Sequence, residues 1–242
     1  MSENMLENIR SALHRFANEA DAKILQRFFK TGPGEYGEGD LFIGVRVPAT
    51  RRVAKKHRTL SLADTLTLLK SDIHEERLLA LIILIHKFQK GSPDEQALVY
   101  ERYLDHTKHI NSWDLVDISA AHIVGAYLQS RSRKPLHALA RSESLWERRI
   151  AIISTLHFIK NNDFDETLKI AEILLSDTHD LIHKAVGWML REVGKRNIDK
   201  ESDFLLKHYR NMPRTMLRYA IEKFPEEIRQ HYLKGTIRQQ HH

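Results

Sequence analysis

The 242-residue chain has no cysteine, no apolar run longer than the eight residues from Leu78 to Ile85, and scarcely any period-two alternation. Each absence closes a route. Without thiols there are no disulfides, thiolate zinc sites or cysteine nucleophiles, and His, Asp and Glu remain the only side chains able to ligate a metal. The apolar run is far short of the roughly 20 residues that a bilayer-spanning helix needs. The opening residues, with Ser2, Glu3, Asn4 and Glu7, lack the basic and apolar regions of a secretory signal, so a cytoplasmic protein is expected. The missing alternation argues against a sheet.

What is present is helical periodicity. Apolar residues recur at helical spacing in Ile24, Leu25, Phe28 and Phe29, in Leu78, Leu79, Ile82, Ile83 and Ile85, and in Ile152, Ile153, Leu156 and Ile159. Punctuation agrees: Pro48 suits a first helical turn before Ala49 to Lys56, Gly91-Ser92-Pro93 separates two helices, and Ser112 is a good N-cap. The segment Thr31 to Asp40, with four glycines and Pro33, reads as a mobile, turn-rich connection and fits neither the Walker nor the dinucleotide glycine pattern.

Basic residues recur at helix openings, at Arg77, Arg149, Lys184 and Arg218. Arg77 to Arg149 is 72 positions, Arg149 to Lys184 is 35, and Lys184 to Arg218 is 34. A step of that size belongs to helical repeat arrays, and neither the tetratricopeptide nor the ankyrin consensus is present. The predicted fold is all-α: a curved right-handed solenoid of about six degenerate HEAT-like two-helix repeats. Residues 1–238 would form a single domain with a concave basic groove, and 239–242 a C-terminal tail. The basic openings would line that groove.

Lys and Arg number 38 against 32 acidic residues, for a formal charge of +6 and a pI near 9.4. Cations cluster between Arg46 and Arg58, where Arg51/Lys55 and Arg52/Lys56 are i,i+4 pairs. A stripe of this kind suits a phosphate backbone or is simply a solvated face, and the groove could equally hold an acidic protein surface.

Chemistry is sharpest in Asn111-Ser112-Trp113-Asp114-Leu115-Val116-Asp117. Trp113 and Asp117 are one turn apart on a helix face, an aromatic plane beside a carboxylate, which suits a developing sugar cation. The plain alternatives are core packing for Trp113 and an ion pair with Arg149 for Asp117. Asp114 reads as a first-turn acid set against the helix dipole. Trp188 lies beside Lys184 and Arg191 in a further helix, and Trp146 suits a hydrophobic staple. His179 and His183 are i,i+4 but lack the glutamate of zinc proteases, and read as surface histidines. No nucleophile elbow marks a serine.

Five ordered segments carry a resemblance over almost the whole chain: Phe28 to Asp40, Phe42 to Pro48, Asn111 to Asp117, Trp146 to Arg149, and Lys184 to Glu192. They resemble the HEAT-repeat DNA alkylation-repair glycosylases, the AlkD-like family. The resemblance implies excision of cationic alkylated purines, such as 3-alkyladenine and 7-alkylguanine, from duplex DNA in base-excision repair. It implies catalytic roles for Asp117, Trp113 and Trp188, with Arg149 near the lesion phosphate. Arg148, Lys184, Arg51, Arg52, Lys55 and Phe28 are the further expected DNA contacts. No cofactor, metal or membrane is implied; the partner is double-stranded DNA with alkylated bases, the protein is expected to be a monomer, and it would associate with the nucleoid when bound. This chain departs from the best-known catalytic branch at Thr31 to Asp40 and at Asp114, where that branch often carries a second aromatic. The alternative functions are a structure-selective DNA-binding protein without chemistry and a protein-interaction scaffold.

Overall fold

The computed structural model describes residues 2–237; the expected boundary at residue 238 and the tail 239–242 lie outside the described residues. The helices, in chain order, are α1 (Ser2–His14), α2 (Glu19–Phe28), α3 (Val47–Lys56), α4 (Leu62–Leu69), α5 (His74–Lys90), α6 (Pro93–Asp105), α7 (Trp113–Ala120), α8 (Ala126–Leu128), α9 (Lys134–Leu139), α10 (Leu145–Ser154), α11 (Leu156–Lys160), α12 (Asp165–Ile173), α13 (Asp180–Gly194), α14 (Ile198–His208), α15 (Arg214–Ala220) and α16 (Glu226–Lys234). Among the described residues there is no β-strand, only an isolated parallel bridge between Leu41 and Ile73. The all-α expectation holds. No described helix is long and apolar enough to cross a membrane.

The chain forms two compact units, Met1–Ser119 and Ala120–His242. In the first, α5 is central, with α3, α4 and α6 packed against it. Its apolar run is therefore buried on more than one side: Leu79, Leu81, Ile83 and Leu84 are fully buried, and each such side chain contributes about 1.5–3 kcal/mol relative to exposure. In the second unit α13 holds the same position, against α10, α12, α14 and α15, with Ile182, Val186, Met189 and Leu190 fully buried. A π-helical turn, Ala121–Gly125, precedes α8.

Local chemistry sets where helices begin. Ser61 accepts from the backbone N–H of Asp64, Asn18 from Asp21 and Ser144 from Glu147, while Ser92 and Glu95 close a full capping box at α6. Because Ser144 is the cap, Trp146 lies inside the first turn of α10, which removes it from the position before the cap that a hydrophobic staple requires.

The glycine-rich connection is a chain of tight turns stapled by backbone hydrogen bonds, Gly37 N–H to Lys30 C=O (3.1 Å) and Gly39 N–H to Thr31 C=O (3.3 Å) among them. Gly39 adopts φ +79°, a left-handed conformation that costs an L side chain, and the turn it makes delivers Asp40 to a buried position. Beyond it the backbone N–H groups of Ile43, Gly44 and Val45 converge on the carboxylate of Glu75, at 3.1, 2.8 and 3.1 Å. Three donors on one buried acid pin the strand-like stretch between α2 and α3 to the first turn of α5. Gly44 is also at φ +81°, and a Cβ there would run into the backbone of Asn18 and Ala22.

Candidate functional site

An apolar cleft of about 510 Å³ in the first unit is lined by Leu25, Phe28 and Phe29 from the end of α2, Arg46, Val47 and Arg51 around α3, Leu78 of α5, and Trp113, Asp114 and Asp117 of α7. Its helices form for separate local reasons, yet their ends meet here. α7 begins at Trp113, where Ser112 was expected to cap it, and Ser112 C=O receives the Val116 N–H at 3.1 Å. One turn on, Asp117 shares the cleft with Trp113, as the i,i+4 spacing predicts.

The aromatic wall is a stack. Trp113 lies parallel to Phe29 (centroids 5.2 Å, 10° between planes), Phe29 stacks on Phe42 (4.9 Å), and Phe42 on the imidazole of His74 (4.3 Å). Phe28 meets Trp113 edge-on at 5.9 Å and is 61% exposed. A phenylalanine that open beside a half-buried tryptophan is a surface for a flat or apolar ligand group rather than core. Trp113 therefore has both characters: one face packs on Phe29, and the residue still lines the cleft.

Beneath the stack lies a polar network that the sequence did not disclose. His74 Nδ1 is 2.8 Å from Asp40 Oδ2, and its Nε2 is 2.9 Å from Asp114 Oδ2. Arg77 Nη2 donates to Asp40 Oδ1 at 2.7 Å, while its Nη1 holds the Ser71 and Asp72 carbonyls. Arg77, expected to line a groove, is thus turned inward and 4% exposed. The reason is Asp40: a carboxylate buried by the glycine-rich turns has to find a cation. Asp114, read as a helix-dipole acid only, is also the partner of His74. Burial works against a charged imidazole, but hydrogen bonds to Asp114 and Asp40 and their charges outweigh it and push His74 up to about 9. Burial likewise opposes ionisation of Asp40, and His74 with Arg77 holds it below the usual carboxylate range. Four ionisable residues, His74-Glu75-Glu76-Arg77, open α5 immediately before its eight-residue apolar run. That was the available signal, since buried charges need partners from elsewhere in the chain.

This network makes stability depend on alkaline pH. The folded value of His74 lies above its unfolded one, so its contribution is complete below pH 6.5 and vanishes as pH rises through about 9. The wild type is expected to lose about 3 kcal/mol of stability between pH 6 and pH 10 beyond any loss in His74→Gln. Urea unfolding of both proteins at the two pH values measures the difference.

Asp117 is half-buried, and its charge joins burial in raising the Tyr103 hydroxyl, which is bonded to Ser119 on the same helix at 2.8 Å. Arg46 is committed to a two-pronged pair with Asp21, at 2.9 and 2.5 Å. Arg51 is exposed and has no ion pair among the described residues. The expected basic stripe on α3 is divided: Arg51 lines the aromatic cleft, whereas Arg52, Lys55 and Lys56 line a second cleft of about 860 Å³ with Arg15, Phe16 and Arg58. Arg52 points about 100° from Arg51 around the helix axis, whereas Lys55, one turn along on the face of Arg51, lines the other cleft all the same.

The remaining predicted residues lie in the second unit. Arg149 is 5% exposed and its Nη1 donates to the Leu181 carbonyl at 2.6 Å. Arg148 bonds Asp177 (2.6 Å) and the carbonyls of Ser142 and Glu143. Lys184 pairs with Asp180 one turn away at 2.6 Å. Trp188 is half-buried and donates from Nε1 to Glu192 Oε1 at 3.1 Å. His179 and His183, expected on the surface, are half-buried and act at the start of α13: His179 Nδ1 accepts from the Leu181 N–H, and the His183 ring bonds the Asp177 carbonyl. Among the described residues no cluster of potential metal ligands is found.

In the first unit the helical scaffold thus presents an aromatic cleft with a carboxylate and an arginine in its walls. The chain belongs to the DNA alkylation repair enzyme family, whose model matches residues 9–224. Its place in DNA alkylation repair, with DNA as the substrate, follows from that membership. Among solved structures it is similar to one described as a predicted DNA alkylation repair enzyme from Enterococcus faecalis, with 17% identity and a TM-score of 0.67 over 87% of this chain and 97% of that one. At that identity the likeness is one of fold. No curated protein matches significantly.

Proposed function

We propose that the protein is a monofunctional DNA N-glycosylase that excises cationic alkylated purines, 3-alkyladenine and 7-alkylguanine, from duplex DNA, on an array of HEAT-like repeats. The observation that supports this most directly is the shared cleft: the Trp113 ring and the Asp117 carboxylate line one apolar recess, with Arg51 among its walls.

Alkylation at N3 or N7 places a positive charge on the purine. When the C1′–N9 bond breaks, its electron pair neutralises the ring, a neutral base departs, and cationic character passes to the sugar. The leaving group needs no acid, so one carboxylate suffices where ordinary glycosidases use two. Asp117 stabilises that cation and orients the water that attacks C1′, taking up the proton the water loses. The Trp113 face adds about 0.5–2 kcal/mol of cation–π stabilisation. Arg51 binds a phosphate and so fixes position without reading sequence. Phe28 supplies an apolar contact at the mouth. Arg149 and Trp188 enter as contacts to the lesion phosphate and backbone through the resemblance alone.

Incubating the purified protein with duplex DNA containing 7-methylguanine, and measuring free base, tests the proposal. Release is expected from the wild type, and Trp113→Ala should lower it about tenfold, while Trp113→Phe, which keeps a ring against Phe29, should recover part of the loss. No release by the wild type from several cationic lesions would sink the glycosylase assignment. Binding to unmodified duplex should weaken steeply with salt, since each neutralised phosphate releases counterions.

A further inference from the structure

The chemistry just described makes no use of His74, although that side chain is 2% exposed and holds three parts of the first unit together. A carboxylate faces each of its ring nitrogens, Asp40 from the glycine-rich segment and Asp114 from the first turn of α7. Carboxylates are acceptors only, and a neutral imidazole has a single N–H. Both bonds can be donated only when the ring carries both protons. One face of the ring is stacked against Phe42 at 4.3 Å, and Phe29 lies tilted beside it at 5.0 Å, both uncharged. On its own helix Arg77 is committed to Asp40, and Glu75 to backbone N–H groups. No cation among these groups competes for Asp114. The second oxygen of Asp114 is buried without a hydrogen-bond partner, so the bond from His74 is what compensates that carboxylate.

Asp114 is the residue after Trp113 and lies three before Asp117. Whatever holds Asp114 holds the turn from which both project.

We propose that His74 is a positioning residue of this site: by bridging Asp40 and Asp114 with its two ring nitrogens it fixes the first turn of α7, and with it the placement of Trp113 and Asp117. It touches no substrate. Loss of either ring proton breaks the bridge: without the Nε2 proton Asp114 is freed, without the Nδ1 proton the ring loses its hold on Asp40, and in both cases the first turn of α7 is no longer tied to the glycine-rich segment. The site should therefore fail at alkaline pH before the protein unfolds.

The kinetic test rests on the glycosylase function proposed above; the spectroscopic test does not. In the kinetic test, single-turnover release of 7-methylguanine by the wild type, corrected for spontaneous loss, should fall as pH rises through about 9, the value to which the two carboxylates raise His74. In His74→Gln the rate should be about tenfold lower near pH 7 and lack that alkaline limb, with affinity for unmodified duplex changed less than about twofold. Asp114→Asn should move the limb toward neutral pH. A limb that persists in His74→Gln, or rate and affinity falling in parallel, would overturn the proposal.

In the spectroscopic test, NMR of the wild type without DNA should show the His74 ring titrating near 9 and the Trp113 indole N–H shifting with the same midpoint. Titration of His74 near 6.5, or a Trp113 signal indifferent to it, would overturn the proposal even if the Gln variant does not fold. A wild type that releases no base but passes the spectroscopic test would count against the glycosylase and leave the positioning role standing.

Discussion

Asp117→Asn is expected to lower the rate of 7-methylguanine release by about 10²–10³-fold, the loss typical when a single pre-placed electrostatic group is removed from a reacting centre. Asparagine preserves the shape of the side chain but brings neither the negative charge that opposes the sugar cation nor a base for the water's proton. The cleft itself should survive, because its walls are set by Phe29, Trp113 and Leu78, whose packing does not depend on that charge. Affinity for unmodified duplex should therefore stay within a few-fold of the wild type. Single-turnover base release and a binding titration, run on the same preparation, separate the two effects. Full activity in Asp117→Asn would remove the carboxylate from the mechanism and leave Trp113 without its assigned partner.

The largest expected effect on stability belongs to Glu75→Ala. This substitution deletes the acceptor for the backbone N–H groups of Ile43, Gly44 and Val45, at 2.8–3.1 Å. Gly44 and Val45 are buried. Leaving a buried donor unsatisfied costs about 1–3 kcal/mol, so roughly 3 kcal/mol or more should be lost in all. Glu75→Gln, which keeps one carbonyl oxygen in place, should lose less. Urea denaturation followed by far-UV circular dichroism gives the order. Equal stability of Glu75→Ala and wild type would mean that these three amides do not depend on the carboxylate. The expected damage reaches function too, because the stretch from Phe42 to Val47 carries part of the aromatic stack and the wall of the cleft on the α3 side.

Both substitutions touch the boundary between what could be read early and what could not. The pairing of Trp113 with Asp117 was legible because it is a local matter: a helix places i and i+4 on one face whatever surrounds it. The segment Phe28 to Asp40 was recognisable as a family feature. That Phe29 lies flat against Trp113, 84 positions on, was not. The two places where this chain departs from the best-known catalytic branch, the glycine-rich segment ending at Asp40 and the residue Asp114, looked like separate variations. His74 joins them. The run His74-Glu75-Glu76-Arg77 signals a need for partners, but nothing in one dimension says which distant residues supply them.

Charge shows the same division. Arg51, Arg52 and Lys55 form a basic run in the sequence, and Arg77 recurs in step with other helix-opening cations. In the folded unit Arg51 faces the aromatic cleft, Arg52 and Lys55 face another, and Arg77 is spent on a buried aspartate. Sequence spacing reports direction around one helix axis. It says nothing about which neighbour stands on that side.

By itself, then, the sequence determined the all-helical class, the helix boundaries marked by serine and proline, the family, and the Trp113–Asp117 pair, because each depends on interactions spanning a few residues or on a pattern repeated along the chain. Only the tertiary structure decided that Asp40, His74 and Asp114 form one bridge, that Glu75 gathers three amides, and that the basic run divides between two clefts. Those arrangements arise when burial strips water from charged and polar groups and forces each to find a partner from a distant part of the chain.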